Sequence, residues 1–342
     1  MGTNTSILPP IDDLAELVES GLREIVTDGK LGLYDMMAYH MGWKEAPGIE
    51  TFPSLQNPNR HRGIACLLSS AAVGGEVEPA VPAAVAVELV EAFSQVHDDV
   101  QGGQPKRRGR DAVWWIWGPA QAINVGDGLH ALSRLALFDL KQNGLSQELT
   151  VKAVQMLDGA GLDLCEGIFR DLDTQERIDI DIGQYLEMAS SKTGALFSCS
   201  MGLGALIGKK SQDAVASMSK CGRKLGIAFQ INNDLKELWG SGSDMTGPSS
   251  EVLNKKKLLP VAHALNKAAI SEKRRLGDIY FKRVLEQKDV DDLLEILEEM
   301  GSRQFSEDLV NSYKLESLDA MESEVLPGKS ESMRTFIDSL VD

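Results

Sequence analysis

Apolar residues recur at three- and four-residue spacing along most of the chain, the pattern of helices that bury one face. Residues 12–40 show it first, and the acidic Asp12 and Asp13 stand where a helix prefers negative charge. Residues 79–100 are rich in alanine and small apolar side chains, which favours a helix packed closely among others. Further helices are predicted over residues 120–143, 147–170, 183–208, 211–239, 251–268, 272–286 and 289–299.

Glycine, proline and polar clusters indicate the connections between these helices. They occur at residues 102–109, 143–145, 240–250 and 300–302. No strongly alternating strand pattern competes with the helical one, and no repeat of 20–50 residues is present. We therefore predict an all-α fold and one domain over residues 1–342. The polar stretch at 240–250 is either a mobile lid beside a site or a plain surface loop.

Composition and charge narrow the classes of function. The chain has 342 residues, is 43% hydrophobic and carries a formal net charge of −16. Binding to nucleic-acid phosphates needs clustered positive charge, so a general nucleic-acid binder is disfavoured. No uninterrupted apolar run of membrane-spanning length is present, so we expect no membrane span. The four cysteines have no metal-binding spacing, which favours reduced, buried thiols in a cytoplasmic protein.

Two adjacent aspartates, Asp98 and Asp99, end the apolar stretch 79–100. Magnesium prefers oxygen ligands, and one or two carboxylates suffice when substrate phosphates and waters complete its shell. One helical turn after Asp98, where a third carboxylate would complete the metal-binding face, the chain has Gly102. A cationic cluster suited to phosphate follows, formed by Lys106, Arg107, Arg108 and Arg110.

A second acidic motif interrupts the apolar helix predicted around residues 226–239. Asn233, Asp234 and Glu237 have the i, i+1, i+4 spacing that places three oxygen-bearing groups on adjacent helical faces. Such groups form either a metal site or a buried hydrogen-bond network, because polar groups in an apolar helix need partners. Together, the two motifs suggest helices facing each other across a cavity, with Mg²⁺ bridging their carboxylates through a bound diphosphate.

These residues resemble the trans-isoprenyl diphosphate synthases, or polyprenyl synthetases, of the class I terpenoid fold. The resemblance covers about residues 55–265, with 1–54 as an N-terminal helical segment. Its landmarks, in the family's order, are ELVEAFSQVHDDV, KRRGRDA, GPAQAINVGDGLHALS, CEGIFRDL, YLEMASSKTGALF, GIAFQINNDLKE and NKKKLLP. The resemblance implies a helical bundle with a central cavity, and a homodimer.

The resemblance also implies a reaction and a set of residues. An allylic prenyl diphosphate would lose its diphosphate, with Mg²⁺ and cationic side chains stabilising the charge that develops. By the same resemblance, Thr193 and Gln230 would line the reacting centre, and Arg62 and Arg108 would contact isopentenyl diphosphate as co-substrate. The metal would be held by Asp98, Asp99, Asn233, Asp234 and Glu237, and the allylic diphosphate by Arg107, Lys192 and Lys256.

The chain departs from the family's pattern at both kinds of site. Gly102 and Asn233 remove two formal charges from the acidic motifs, so we expect weaker metal affinity or an altered ion arrangement, but not a dead site. In the segment for the co-substrate, Asn59 replaces a lysine and Glu91 replaces a histidine. Glu91 would repel a diphosphate. Either Arg60, His61 and Arg108 compensate for this repulsion, or Glu91 pairs with one of them. In the E-G-Q segment, Ile168 stands where glutamine is usual.

Aromatic residues bear on product length. Phe93 lies one position before Ser94, where the family sets that length, and its ring would limit the product to roughly 15 or 20 carbons. An ordinary core aromatic is the alternative. Three tryptophans could line a cavity that stabilises a carbocation, or could pack helices or an oligomer interface. They are Trp114, Trp115 and Trp117.

Three functional hypotheses remain open at this point. The first is a prenyltransferase that elongates an allylic diphosphate with isopentenyl diphosphate to 15–20 carbons, favoured by Arg62 and the Arg107-Arg108 pair. The second is a terpene synthase on the same scaffold that uses one prenyl diphosphate without a co-substrate, favoured by Asn59 and Glu91. The third is a non-catalytic partner subunit, which the survival of the charged site residues disfavours.

Overall fold

The computed structural model describes residues 9–27, 29–47, 59–175, 177–208, 211–240 and 250–341. Almost all of the ordered structure in these ranges is helical, which confirms the all-α prediction. The predicted connection at 240–250 lies outside the described residues except at its ends.

The helices are α1 Ile11–Thr27, α2 Gly32–His40, α3 His61–Ala72, α4 Val81–Gln101, α5 Val113–Trp117, α6 Pro119–Phe138, α7 Gln147–Asp173, α8 Ile182–Ala189, α9 Ala195–Gly208, α10 Gln212–Trp239, α11 Ser250–Leu253, α12 Leu259–Lys267, α13 Ile270–Tyr280, α14 Gln287–Glu299, α15 Ser302–Met321 and α16 Ser330–Val341.

Short elements complete the described structure. A π-helical turn, Ser190–Gly194, separates α8 from α9, and two 3₁₀ turns occupy Glu78–Ala80 and Asp139–Lys141. Two short antiparallel strands, β1 Lys106–Arg107 and β2 Arg110–Asp111, pair as a hairpin. The segment predicted as an irregular connection at 102–109 therefore contains part of a hairpin.

Several predicted boundaries are wrong. Residues 12–40 form two helices because the chain extends at Leu31, with φ −84° and ψ 153°, before α2 begins. Residues 251–268 form α11 and α12, separated by a non-helical stretch in which Lys255 has φ 59°. The helix predicted at 272–286 ends at Tyr280. The helices α3, α5, α15 and α16 were not predicted.

The chain divides into two compact units. Unit 1 comprises Met1–Gly159, Cys199–Ser219 and Ser323–Met333. Unit 2 comprises Ala160–Ser198, Lys220–Glu322 and Arg334–Asp342. The prediction of one domain over residues 1–342 stays a prediction.

In unit 1, α4 is the central helix and packs most extensively against α6. Its alanines and most of its valines are buried and allow close approach. Gly126 of α6 also allows it, because a Cβ there would lie 2.2 Å from His97 Nε2. The stretch Glu78–Gln101 is long and apolar enough to cross a membrane, but 72% of its most apolar window is buried inside the protein. That burial is what a core helix shows.

In unit 2, α12 packs against α8, α14 and α15. Apolar side chains of α12, α13 and α14 form one cluster, and Leu276, Leu293 and Leu297 within it are almost completely buried. Burial of this apolar surface is the main stabilising contribution for such a unit.

The cysteines are all free, as predicted, but their burial was predicted incorrectly in one case. Cys66, Cys199 and Cys221 are buried, whereas Cys165 is exposed on α7. Burial raises the pKa of Cys199 to about 12, so this thiol stays protonated at neutral pH.

Candidate active site

One face of α4 carries a polar stripe along an otherwise apolar helix. Glu91, Gln95 and Asp98 are spaced by four and three residues, so they lie on the same side of the helix. Asp99 adjoins this stripe and is buried, while the side chain of Asp98 is 20% exposed. The stripe therefore brings the predicted metal-binding aspartates into line with Glu91.

Arg107 on β1 binds the aspartate pair directly. Its Nε lies 2.9 Å from both carboxylate oxygens of Asp99, and its Nη2 lies 2.7 Å from Asp99 Oδ1. The same Nη2 is 3.6 Å from Asp98 Oδ2. Burial raises the pKa of Asp99 above its ordinary value, while the Arg107 guanidinium opposes the shift. The first acidic motif and its arginine thus form one charged cluster.

The hairpin fixes the position of the second arginine. Arg108 and Gly109 form its two-residue turn with φ 52° and 74°, the left-handed values of a type I′ turn. Arg108 Nη2 donates to Gln95 Oε1 at 2.5 Å. Although Arg108 retains solvent exposure, desolvation by the surrounding protein, together with Arg107 and Arg60, lowers its pKa to about 10. Its guanidinium therefore remains charged at neutral pH.

Arg62 at the start of α3 is paired with Glu91. Its Nη1 lies 3.1 Å from Glu91 Oε1, and Gln95 Nε2 donates to the same oxygen at 2.8 Å. Within the described part of the chain, the direct ion-pair partner of Glu91 is thus Arg62 and not one of the predicted Arg60, His61 and Arg108. Arg108 is linked to Glu91 through Gln95. The two arginines predicted to bind isopentenyl diphosphate, Arg62 and Arg108, are joined through Glu91 and Gln95.

A buried histidine lies among the cations of unit 1. His40 at the end of α2 is 9% exposed, and its Nε2 has no hydrogen-bond partner within the described residues. Burial, then the positive charges of Arg108 and Arg107, lowers the pKa of His40 well below its usual range. His40 is therefore neutral at physiological pH and adds no charge to this region.

Gly102 is the C-cap of α4 and directly follows its last residue, Gln101. Its amide donates to the Asp98 carbonyl oxygen at 2.8 Å, and its φ of −84° is open to any residue. A Cβ at this position would lie 3.2 Å from that carbonyl oxygen and 3.4 Å from Gln104 Cγ. A side chain here meets close contacts that require an adjustment of a few tenths of an ångström.

The aromatic residues around α4 are packed against other rings. Phe93 is buried, stacks on His130 with centroids 4.8 Å apart and meets His97 edge-on at 5.0 Å. The adjacent Ser94 is also buried. These contacts place Phe93 in the packing between α4 and α6, and its role in product length stays a prediction.

Two of the three tryptophans serve packing in unit 1. Trp114 Nε1 donates to the Gln104 carbonyl oxygen at 2.6 Å, and Trp117 meets Tyr39 edge-on with centroids 5.1 Å apart. Trp115 is 58% exposed. Among the alternatives for these residues, helix packing accounts for Trp114 and Trp117.

In unit 2, Asp234 is held by neutral donors. Its Oδ2 accepts from Tyr185 Oη at 2.6 Å and from the Leu259 amide at 2.8 Å, and its Oδ1 accepts from Gln230 Nε2 at 2.9 Å. Burial and the Asp234 charge raise the pKa of Tyr185 well above its ordinary value, so the phenol remains a donor. Gln230 in turn accepts from Thr193 Oγ1 at 2.5 Å.

The other members of the second acidic motif are only half-buried. Asn233 and Glu237 lie beside the buried Asp234 on α10. Within the described ranges, no three histidine, cysteine or carboxylate side chains gather closely enough to hold a metal ion. A Mg²⁺ ion at either motif would therefore complete its shell with phosphate oxygens and water, which is its usual mode of binding. The hard oxygen donors of Asp98, Asp99 and Asp234 fit that ion.

The two predicted diphosphate-binding lysines meet at one carboxylate. Lys192 Nζ lies 2.6 Å and Lys256 Nζ 3.7 Å from Asp171 Oδ2, and Asp171 and Lys256 are both buried. Lys192 is part of the π-helical turn, a feature frequent at functional sites. Gly167 lets α7 approach this turn, because a Cβ there would lie 2.2 Å from Lys192 N.

Sequence reasoning missed several residues of these two clusters. Asp171 stands in the CEGIFRDL landmark without having been singled out, although a buried acid is the expected partner of two lysines. Gln95 is four residues after Glu91 and three before Asp98, a spacing that reveals its place on the polar stripe. Tyr185 begins the YLEMASSKTGALF landmark, but its partner Asp234 is 49 residues away. His40 gave no local signal, since the arginines that lower its pKa are distant in the sequence.

Comparison with known proteins supports the family. The family model for polyprenyl synthetases matches residues 55–297. A geranylgeranyl diphosphate synthase of Mycobacterium tuberculosis is 37% identical over 236 residues, covering 68% of this chain and 65% of that enzyme's length. A short chain isoprenyl diphosphate synthase of Methanothermobacter thermautotrophicus is 33% identical over 241 residues, 70% of this chain and 72% of that one.

A solved structure shows the same fold. The crystal structure of a polyprenyl synthetase from Streptomyces coelicolor matches with a TM-score of 0.88 at 29% identity, covering 97% of this chain and 100% of that one. This likeness confirms the predicted class I terpenoid fold. The chain belongs to the polyprenyl synthetase family.

Proposed function

We propose that this protein ionises an allylic prenyl diphosphate in a Mg²⁺-dependent reaction and transfers the prenyl group to an acceptor. The observation that carries the proposal is the cluster of Asp98, Asp99 and Arg107, in which two carboxylates lie beside a guanidinium. Such a combination suits a substrate that is a metal-bound diphosphate. The names of the relatives in Mycobacterium tuberculosis and Methanothermobacter thermautotrophicus support a short-chain synthase.

Each cluster has a distinct task in this reaction. Asp98, Asp99 and Asp234 would hold Mg²⁺, which neutralises charge on the departing diphosphate when bound. Arg107 and Lys192 would contact the diphosphate and stabilise the negative charge that grows as the carbon–oxygen bond breaks.

Other residues of the clusters keep the charged groups in position. Asp171 holds Lys192 by the 2.6 Å ion pair. Tyr185 and the Leu259 amide fix the orientation of Asp234 through their hydrogen bonds. Groups fixed before the reaction need no reorganisation as charge develops, which is the basis of electrostatic catalysis.

For the acceptor, the first candidate is isopentenyl diphosphate, bound by Arg62 and Arg108 and giving a product of 15–20 carbons. The relative named geranylgeranyl diphosphate synthase supports a product at the upper end of that range. Phe93 would then restrict further growth of the chain by its bulk.

A second candidate is a terpene synthase that ionises one prenyl diphosphate and uses no co-substrate diphosphate. The observation that favours it is the ion pair between Arg62 Nη1 and Glu91 Oε1, which are 3.1 Å apart. Arg62 is one of the two arginines predicted to bind the co-substrate, and here it binds a carboxylate of the protein. In this candidate the carbocation reacts internally or with water.

The test is incubation of the purified protein with Mg²⁺ and geranyl, farnesyl or geranylgeranyl diphosphate, with and without isopentenyl diphosphate. Diphosphate release and the prenyl products are measured together. Elongated products only with the co-substrate support the first candidate, and cyclic or hydrolysed products without it support the second. Asp98→Ala and Asp234→Ala should each reduce turnover by at least a hundredfold. Absence of turnover with every allylic substrate would refute the proposal.

A further inference from the structure

The polar stripe of α4 contains a carboxylate that the metal-binding motif does not use. Glu91 lies two helical turns before Asp98, and its side chain is 18% exposed. Its Oε1 is 3.1 Å from Arg62 Nη1 and accepts from Gln95 Nε2 at 2.8 Å. Gln95 links Glu91 to Arg108, because Gln95 Oε1 accepts a hydrogen bond from Arg108 Nη2 at 2.5 Å. One carboxylate thus serves two arginines, directly and through an amide.

The other titratable residues near Arg62 and Arg108 have different partners or are neutral. Arg60 has its own acidic partner, since its Nη2 lies 2.9 Å from Glu19 Oε2. Glu88 is buried and accepts from the Gly63 amide at 2.7 Å, and burial raises its pKa. His40 is neutral. Among these residues, Glu91 is the one whose carboxylate forms the ion pair with Arg62.

We propose that Glu91 is a specificity-determining residue whose carboxylate takes the place of a second diphosphate at Arg62 and Arg108. A second diphosphate has to displace the Glu91 carboxylate from Arg62 and then bind beside its negative charge. Both steps cost free energy, because opposite charges are separated and like charges are brought together. The significance of this site rests on the proposed function, since only a prenyl-transferring enzyme needs a second diphosphate.

The experiment measures equilibrium binding of isopentenyl diphosphate by calorimetry, without allylic substrate, so that no turnover occurs. Glu91→Gln keeps the size of the side chain and removes its charge. We expect this variant to bind isopentenyl diphosphate at least tenfold more tightly than the wild type. Glu19→Gln is the matched control, because it removes the carboxylate paired with Arg60 and leaves Glu91 in place; its affinity should change by less than threefold.

A second variant, Gln95→Leu, tests the proposal independently in case Glu91→Gln does not fold. Gln95→Leu leaves Glu91 on Arg62 but releases Arg108, and we expect it to tighten binding by an intermediate factor, about two- to fivefold. Circular dichroism and thermal melting verify that each variant is folded. Unchanged affinity in both Glu91→Gln and Gln95→Leu would overturn the proposal, and so would an equal gain in Glu19→Gln.

Diphosphate release from farnesyl diphosphate, measured on the same proteins, separates this proposal from the proposed function. Tighter binding of isopentenyl diphosphate by Glu91→Gln without release of diphosphate by the wild type would refute the function and support the role of Glu91. Release of diphosphate by the wild type, with unchanged affinity of Glu91→Gln for isopentenyl diphosphate, would support the function and refute the role of Glu91.

Discussion

Gly167 provides a sharp test of how the lysine-bearing π-helical turn is positioned. Gly167 is buried on α7, and a Cβ built on it would lie 2.2 Å from Lys192 N, 2.6 Å from Lys192 Cα and 2.7 Å from Ser191 C. Ordinary contacts of a Cβ begin at 3.4 Å. The alanine methyl group would therefore collide with backbone atoms, which cannot rotate away as a flexible side chain can.

The magnitude follows from two opposing contributions. Overpacking of a well-packed site costs about 1–3 kcal/mol, and a rigid backbone neighbour puts this contact at the upper end. Replacing glycine by alanine inside a helix returns about 1 kcal/mol through helix propensity. We expect Gly167→Ala to lower the free energy of unfolding by about 2 kcal/mol and to displace Lys192.

The same helix offers a matched control. Gly159 also lies in α7, but it is exposed and a Cβ there would have no atom within 4 Å. Gly159→Ala should therefore raise the free energy of unfolding by about 0.5–1 kcal/mol, the gain in helix propensity alone. The identical substitution thus has opposite signs at two positions of one helix.

The assay is urea denaturation followed by circular dichroism, together with the KM for farnesyl diphosphate. Gly167→Ala should unfold at lower urea concentration. It should also show a raised KM, because the proposed function has Lys192 contact the diphosphate and this variant displaces Lys192. Gly159→Ala should unfold at higher concentration with an unchanged KM. Equal stability of the two variants would refute the close packing of α7 on the turn.

Three further predictions concern other residues of the clusters. Tyr185→Phe removes the hydroxyl donor to the buried Asp234, so we expect a loss of about 1 kcal/mol in the free energy of unfolding, measured by urea denaturation. Burial lowers the pKa of His40 well below its usual range. The imidazole is therefore protonated near pH 6.5 in the unfolded chain but stays neutral at that pH in the folded protein. Stability of the wild type relative to His40→Gln should therefore fall between about pH 7 and 5, by up to about 1.4 kcal/mol per pH unit, and parallel pH profiles would contradict this. Gly102→Asp adds a carboxylate one turn after the pair proposed to bind metal, so the Mg²⁺ concentration for half-maximal diphosphate release should fall severalfold, whereas the uncharged Gly102→Asn should not lower it.

Periodicity in the sequence predicted α4, α7 and α10 well because each is a long helix with a continuous apolar pattern. The break before α2 was missed, since the apolar spacing resumes in register after it. The hairpin β1–β2 was missed for a different reason: strands of two residues are too short to show alternation. The turn residues Arg108-Gly109 gave the only local signal, because glycine favours the left-handed conformation.

The residue types of the candidate site could be predicted, but not their partners. The spacing of the acidic motifs identified Asp98, Asp99 and Asp234. It could not show that Tyr185 and the Leu259 amide donate to Asp234, because these two residues are 49 and 25 residues from Asp234 in sequence. Contacts of such long sequence separation depend on how helices pack, which a local pattern does not encode.

The chain departs from the family's pattern at two positions near α4, Glu91 and Gly102, and both change the distribution of charge along one face of the helix. A carboxylate is missing at Gly102, at the end of α4 that carries Asp98 and Asp99, and one is present at Glu91, eleven residues earlier. Eleven residues of helix span about 16 Å, so the two positions concern different charged groups. The first lowers the negative charge available to a metal ion, and the second lowers the positive charge that Arg62 offers to an anion. Both changes weaken the attraction for highly charged ligands, and the second acts on the acceptor side alone. If the proposed function holds, this chain keeps Arg107 and the aspartate pair for one diphosphate and binds a second diphosphate less tightly.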